Sequence, residues 1–214
     1  MIFRLDERLL FPDPALAEED GLLAIGGDLT VERLLLAYQN GIFPWYSDDE
    51  PILWYAPHER FVVFPDELKV SKSMRQVLRS DKFTVTFDQC FNEVVEACSA
   101  AKREGQDGTW ITGDMKAAYT RLHLEGHAHS VEVWENGTLA GGLYGVHAGD
   151  VFCGESMFSK VSNASKTALI WLCRTGQYKL IDCQVYTEHL ESMGARMISR
   201  EEYISMLHKT PLKP

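Results

Sequence analysis

The sequence lacks the features that define several specialised protein classes. None of its 214 residues belong to an apolar run approaching the roughly 20 residues of a membrane-spanning helix. The five cysteines form no Cys-x-x-Cys pair, which favours a reducing compartment over a disulfide framework. The first ten residues contain four charged side chains, so we expect no signal peptide and a cytoplasmic protein.

An excess of positive charge is also missing. Basic residues number 21 against 31 acidic residues, a formal net charge of −10, which argues against a general nucleic-acid coat protein. Residues 69–82 reverse this balance with five basic side chains, one acidic side chain and a net charge of +4. Lys72, Arg75 and Arg79 fall on one face of a predicted helix, which is either a solvated face or an electrostatic footprint for nucleic acid.

What is present indicates a globular α+β protein. Hydrophobic residues make up 45% of the chain. Residues 1–60, dense in Gly, Pro and aromatic residues, predict a small N-terminal α/β domain, with Thr30 as a helix N-cap. Residues 61–214 predict a second domain with a mostly antiparallel twisted sheet flanked by helices. Its clearest element is a hairpin whose turn is Asn136-Gly137, a pair that accepts positive φ.

Polar side chains in apolar strands are the first candidates for chemistry. We predict a buried strand over 179–185, in which Asp182 and Gln184 share one face. The pair is either a structural hydrogen-bonded pair or a base with an amide neighbour. Glu155 is a lone carboxylate among small and apolar residues just after another predicted strand. It pairs either with a nearby lysine or with Asp182 across the sheet, and proximity to Asp182 would raise the pKa of one of the two carboxyls.

Histidines and aromatic residues supply weaker signals. His123, His127 and His129 are close in sequence, but the chain contains no His-Glu-x-x-His motif or Cys/His cluster, so we expect no metal site. Trp45 belongs to an aromatic cluster of the N-terminal domain, and Trp110 follows a predicted helix. Aromatic side chains of this kind either fill a core or stack on nucleic-acid bases.

Several sequence blocks, taken together and in order, resemble the leucyl/phenylalanyl-tRNA–protein transferase family. The blocks are residues 21–29 (GLLAIGGDL), 38–45 (YQNGIFPW), 108–112 (GTWIT), 126–134 (GHAHSVEVW), 152–159 (FCGESMFS), 163–169 (NASKTAL) and 180–185 (LIDCQV). The resemblance implies a bacterial cytoplasmic enzyme of the N-degron pathway. Such an enzyme moves Leu or Phe, and less readily Met, from aminoacyl-tRNA to an N-terminal Arg or Lys of a protein. It also implies a C-terminal domain similar to the GNAT acyltransferase fold.

The resemblance further assigns roles to residues. It implies that Asp182 and Gln184 carry a catalytic relay, that Glu155 lies nearby, and that Trp45 and Trp110 lie near the aminoacyl-adenosine. An amide oxygen is a very poor base, so the chemistry favours Asp182 as the final proton acceptor and Gln184 as the group that positions the amine. Glu155 would hold the attacking ammonium or the cationic side chain of the acceptor.

The remaining predicted partners follow from the same reaction. The basic residues Lys72, Arg75 and Arg79 would guide the tRNA acceptor stem. We expect no cofactor, no membrane contact and a monomer. The side chain of the transferred residue needs an apolar pocket, for which the candidates are Leu143, Met157, Leu169 and Leu172.

Two other functions fit parts of the sequence. A GNAT-type acyl-CoA N-acyltransferase binds pyrophosphate with a glycine-containing loop, but residues 159–165, the matching connection here, contain no glycine. A non-catalytic tRNA- or degron-binding module would bind charged tRNA without releasing free tRNA in the presence of an acceptor peptide. Transfer assays therefore separate the three alternatives.

Overall fold

The computed structural model describes residues 2–101 and 110–208, so Gly108 and Thr109 of the 108–112 block lie outside it. The described residues form eleven strands and seven α-helices. The strands are β1 (Phe3–Leu5), β2 (Leu22–Gly26), β3 (Phe43–Pro44), β4 (Leu53–Tyr55), β5 (Glu59–Val63), β6 (Thr84–Phe87), β7 (Ala128–Glu135), β8 (Thr138–Ala148), β9 (Val151–Ser159), β10 (Leu180–Asp182) and β11 (Arg196–Ser199). The helices are α1 (Val31–Gln39), α2 (Lys72–Leu78), α3 (Phe91–Ala100), α4 (Gly113–Leu124), α5 (Ala164–Arg174), α6 (Glu188–Glu191) and α7 (Arg200–Leu207).

The strands form two sheets. The smaller has the order β1-β2-β4-β3, and the larger has the order β11-β5-β10-β9-β8-β7-β6. Pairing is antiparallel except between β1 and β2 and between β9 and β10. The predicted α+β class with a mostly antiparallel sheet is confirmed. The domain division at residue 60 stays a prediction, and Arg60 itself lies in β5 of the larger sheet.

Local sequence signals account for several elements. The Thr30 hydroxyl accepts a hydrogen bond from the Arg33 amide and caps α1, as predicted. Asn136 and Gly137 have φ values of 50° and 76°, the left-handed pair that a tight hairpin between β7 and β8 requires. Both predictions are confirmed because they depend on interactions within a few residues.

Each face of the larger sheet carries its own apolar core. Helices α1, α3, α4 and α7 contribute to one core, and α2, α5 and α6 contribute to the other. Strand β10 contributes side chains to both cores, since Leu180 belongs to the first and Ile181 to the second. Alternation along a strand explains this division, because successive side chains point to opposite faces.

Strands β9 and β10 separate at the centre of the larger sheet. Their parallel pairing ends at Asp182 opposite Cys153. Tyr144 and Gly145 of β8 are paired with Ser156 and Gly154 of β9. Glu155 has no partner in β8 and is therefore the extra residue of a β-bulge in β9. The separation therefore places Asp182 and Glu155 where the two strands part.

The predicted strand over 179–185 is wrong in its length. Strand β10 ends at Asp182, and Gln184 has a φ of 62°, which lies outside the extended region. This backbone conformation turns the chain away from β9 two residues after the last paired residue. Alternation along a strand therefore does not explain how Gln184 comes close to Asp182.

None of the described helices has both the length and the apolar character required to cross a membrane.

Candidate active site

A cavity of about 600 Å³ opens where β9 and β10 separate. Its walls include the three residues predicted to carry the chemistry, Asp182, Gln184 and Glu155. The structure therefore brings together side chains from two strands and from the turn that follows β10. A volume of this size is typical of a small-molecule site.

One side of the cavity is apolar. Leu143, Met157 and Leu169, three of the four candidates for the apolar pocket, line it. Leu172, the fourth pocket candidate, is buried in the core of the same sheet face but is not a lining residue. Sequence reasoning missed further apolar lining residues, among them Phe152, Ile181 and Leu190.

Two tryptophans from separate parts of the chain also line the cavity. Trp45 follows β3, is 38% exposed and packs against Tyr55 with a ring separation of 5.8 Å. Trp110 is partly buried and lies three residues before the start of α4. Both indoles are therefore available to a ligand that enters the cavity.

Asp182 is enclosed by hydrogen-bond donors. Its side chain is 0% exposed, and Oδ2 accepts hydrogen bonds from Arg60 Nη2 at 2.6 Å and from the Tyr203 hydroxyl at 2.7 Å. Oδ1 accepts a hydrogen bond from the Gln184 backbone N–H at 2.8 Å. Burial lowers the pKa of Arg60, but the Asp182 charge, the Tyr203 hydroxyl and the hydrogen bonds to Asp182 together outweigh burial, so the pKa of Arg60 is raised and the guanidinium stays charged.

Glu155 is buried in a different environment. The hydroxyl of Tyr38 donates to Oε1 at 2.7 Å and that of Tyr119 donates to Oε2 at 3.0 Å. Burial raises the pKa of Glu155 to about 7; these two hydroxyls lower it, the Asp182 charge raises it, and the Gln184 amide lowers it. Glu155 therefore changes its charge in the neutral pH range, and its partners are not the lysines considered from the sequence.

Gln184 connects the two carboxylates. Its backbone N–H donates to Asp182 Oδ1, and its side-chain Nε2 donates to Glu155 Oε1 at 2.8 Å. Asp182 thus fixes the backbone of a residue whose amide reaches Glu155. The arrangement can orient a polar group of a ligand next to the apolar wall.

The predicted basic stripe lies on the exposed face of α2 and at its C-cap residue, Arg79. Lys72, Arg75 and Arg79 are exposed, while Met74 packs beneath the helix. Within the described residues none of the three basic side chains forms an ion pair. They are not lining residues of the cavity.

Four residues that hold the carboxylates were missed by sequence reasoning: Tyr38, Arg60, Tyr119 and Tyr203. A buried tyrosine usually needs a partner for its hydroxyl, and Tyr38 in the apolar stripe of α1 gave that signal. No local pattern singles out Arg60, which lies in β5 and is 1% exposed.

The histidines have structural partners. His129 Nδ1 lies 2.7 Å from Asp88 Oδ2, and His123 Nδ1 lies 2.8 Å from the Ala128 carbonyl oxygen. Among residues 2–101 and 110–208 there is no group of three or more His, Cys, Asp or Glu side chains suited to a metal ion.

Two family models match the chain. The model described as leucyl/phenylalanyl-tRNA protein transferase matches residues 62–208, and the model of the N-terminal domain of that transferase matches residues 27–58. The chain belongs to this family. A leucyl/phenylalanyl-tRNA–protein transferase of Flavobacterium johnsoniae is 57% identical over 96% of this chain and 99% of its own length. One from Syntrophobacter fumaroxidans is 56% identical over 96% of this chain and 89% of its own length.

The family decides the class of reaction. The chain is an aminoacyl-tRNA-dependent transferase, which excludes the non-catalytic binding module. Among solved structures, FemX aligns with a TM-score of 0.50 and 11% identity over 83% of this chain and 70% of its own chain. This likeness concerns the fold alone and agrees with the predicted α+β architecture. The GNAT-like assignment of the second domain stays a prediction.

Proposed function

We propose that this enzyme transfers Leu or Phe, and less readily Met, from aminoacyl-tRNA to the α-amine of an N-terminal Arg or Lys of a protein. The product would be marked for degradation by the N-degron pathway of the bacterial cytoplasm. The observation that carries the proposal is the cavity at the separation of β9 and β10. It combines an apolar wall with two buried carboxylates joined by Gln184.

The apolar wall supports the donor side of the proposal. Leu143, Met157 and Leu169 present only aliphatic and thioether groups to the cavity. Full burial of a Leu or Phe side chain contributes about 1.5–3 kcal/mol, whereas an unpaired polar side chain would lose hydrogen bonds to water. Trp45 and Trp110 would stack on or enclose the terminal adenosine.

The polar wall supports the acceptor side. The attacking α-amine must face the ester carbonyl beside the apolar pocket, where Gln184 and Glu155 line the cavity. Gln184 would position the amine, and Glu155 would supply a negative charge to an ammonium group. Asp182 would act through Gln184, since its oxygens are already occupied by Arg60, Tyr203 and the Gln184 backbone.

A transfer assay tests the proposed function. Radiolabelled Leu-tRNA is incubated with the enzyme and a peptide that begins with Arg or Lys. We expect the label to move to the peptide with release of one free tRNA per labelled peptide. The matched control peptide carries an N-terminal acetyl group on the same Arg and should receive no label.

Two results would contradict the proposal. Label that stays on tRNA with both the Arg-initiated and the Lys-initiated peptide would exclude the acceptor. Transfer from acetyl-CoA to either peptide would instead favour the acyl-CoA alternative.

The basic stripe yields a prediction about tRNA affinity. Replacing Lys72 and Arg75 together with alanine should weaken binding of Leu-tRNA, because both side chains are exposed and neither forms an ion pair among the described residues. The slope of log affinity against log salt should fall by about one for each phosphate contact that is lost. Fluorescence anisotropy at several salt concentrations measures both quantities.

The matched control removes the same charge elsewhere. Lys179 and Arg196 form exposed ion pairs with Asp150 and Glu67 and are not lining residues of the cavity. Their double alanine variant should keep the wild-type salt slope. Equal slopes in the two double variants would leave the stripe as a solvated helix face.

A further inference from the structure

Glu155 belongs to a closed ring of hydrogen-bonding oxygens. Tyr38 donates to Oε1, Tyr119 donates to Oε2, and the two phenol oxygens are also hydrogen-bonded to each other. The ring therefore has three oxygen-to-oxygen contacts. The two phenols come from α1 and α4, and the carboxyl comes from the bulge in β9.

A count of hydrogens shows what the ring lacks. Each phenol supplies one hydrogen, and an ionised carboxylate supplies none. Burial and the Glu155 charge raise the pKa of both Tyr38 and Tyr119, so both phenols keep their hydrogens. When both donate to the carboxylate, the contact between the phenols has no hydrogen. A single proton on Glu155 would give every contact of the ring one hydrogen.

The other carboxylate is not suited to the same task. Protonation of Asp182 would leave the buried Arg60 guanidinium without its counter-charge, which is strongly unfavourable. Glu155 has no such cation among its hydrogen-bond partners, which are Tyr38, Tyr119 and the Gln184 amide. Beyond these partners, the negative charge of Asp182 acts on Glu155. This charge raises the pKa of Glu155 and so favours its protonated form.

We propose that Glu155 accepts the proton that the attacking α-amine loses, and that Tyr38 and Tyr119 hold the carboxyl ready for it. This inference rests on the proposed function. It replaces Asp182 as the proton acceptor with the other carboxyl of the cavity wall, which completes its hydrogen-bonded ring on protonation.

The step balances without any further reactant. The amine nitrogen forms a bond to the ester carbonyl carbon and gives one proton to Glu155. The bond between that carbon and the ribose oxygen then breaks. The proton passes from Glu155 to the ribose oxygen, which leaves as the hydroxyl of the free tRNA. The carboxylate is thereby regenerated for the next cycle.

The pH dependence of transfer tests the assignment. In the wild type, the rate at low pH should depend on two ionisations, those of the acceptor amine and of Glu155. The logarithm of kcat/KM should therefore rise with a slope of about two below both pKa values. In Glu155→Gln, we expect a loss of at least about a hundredfold in rate and a slope of about one.

The ring tyrosines give a second readout. The Tyr119 hydroxyl lowers the pKa of Glu155, so Tyr119→Phe should move the acid limb of the rate profile to higher pH. The matched control is Tyr178→Phe. This tyrosine is also buried, but its hydroxyl has no hydrogen-bond partner within the described residues and it is not a lining residue of the cavity. It should keep the wild-type profile.

A direct titration keeps the test independent of activity. Protein labelled with ¹³C at glutamate carboxyls, with Glu155 assigned by the signal missing in Glu155→Gln, should show one carboxyl that titrates near pH 7. Titration of Glu155 near pH 4.5 would overturn the assignment, as would a slope of two in Glu155→Gln. Absence of transfer by the wild type at every pH would instead overturn the proposed function itself.

Discussion

Replacing Arg60 with methionine is expected to lower the free energy of unfolding by about 3–5 kcal/mol. Arg60 is 1% exposed, and its Nη2 donates to Asp182 Oδ2 at 2.6 Å. Without the guanidinium, Asp182 would be a buried charge with no counter-charge. The Gly41 carbonyl would also lose the hydrogen bond that Arg60 Nη1 donates to it at 2.9 Å.

Urea denaturation measures this effect, and two further variants identify its cause. Arg196→Met removes an exposed pair with Glu67 and should cost less than about 1 kcal/mol. The double variant Arg60→Met with Asp182→Asn should be more stable than Arg60→Met alone, because it removes the uncompensated charge. A double variant as unstable as the single one would show that lost packing, rather than the buried charge, dominates.

Replacing Gln184 with glycine is expected to separate activity from stability. The transfer rate should fall by at least about a hundredfold, because the amide that reaches Glu155 and lines the cavity is lost. The free energy of unfolding should change by less than about 1 kcal/mol, because glycine adopts the φ of 62° without strain and this relief offsets the lost hydrogen bond to Glu155. The backbone N–H bond to Asp182 is retained.

Asn163→Gly is the matched control for this variant. Asn163 has a φ of 73°, precedes α5, and its side chain makes no capping hydrogen bond. It should gain similar backbone relief and transfer at the wild-type rate. Chemical denaturation and single-turnover transfer compare the two variants. A wild-type rate in Gln184→Gly would remove that side chain from the reaction.

Local chemistry explains which parts of this structure the sequence predicts. The Thr30 cap and the Asn136-Gly137 turn depend on contacts within a few residues, and both are confirmed. Asp182, Gln184 and Glu155 were recognised because polar groups beside buried strands need partners. Their meeting in one cavity, by contrast, depends on the pairing of β9 with β10.

The partners of the carboxylates could not be predicted in the same way. Tyr38 is 117 residues from Glu155, and Arg60 is 122 residues from Asp182. Periodicity marks a buried face but does not identify which distant side chain it meets. The end of β10 was missed for a related reason. The left-handed turn at Gln184 is stabilised by contacts with Glu155 and Asp182 rather than by a glycine.

The hydrogen bond from Tyr203 to Asp182 has a consequence for biosynthesis. Tyr203 lies in α7, so the ribosome must translate almost all of the described chain before Asp182 has its full set of donors. A nascent chain that ends before α7 lacks one of the donors that hold Asp182 in place, so the site is completed only near the end of synthesis.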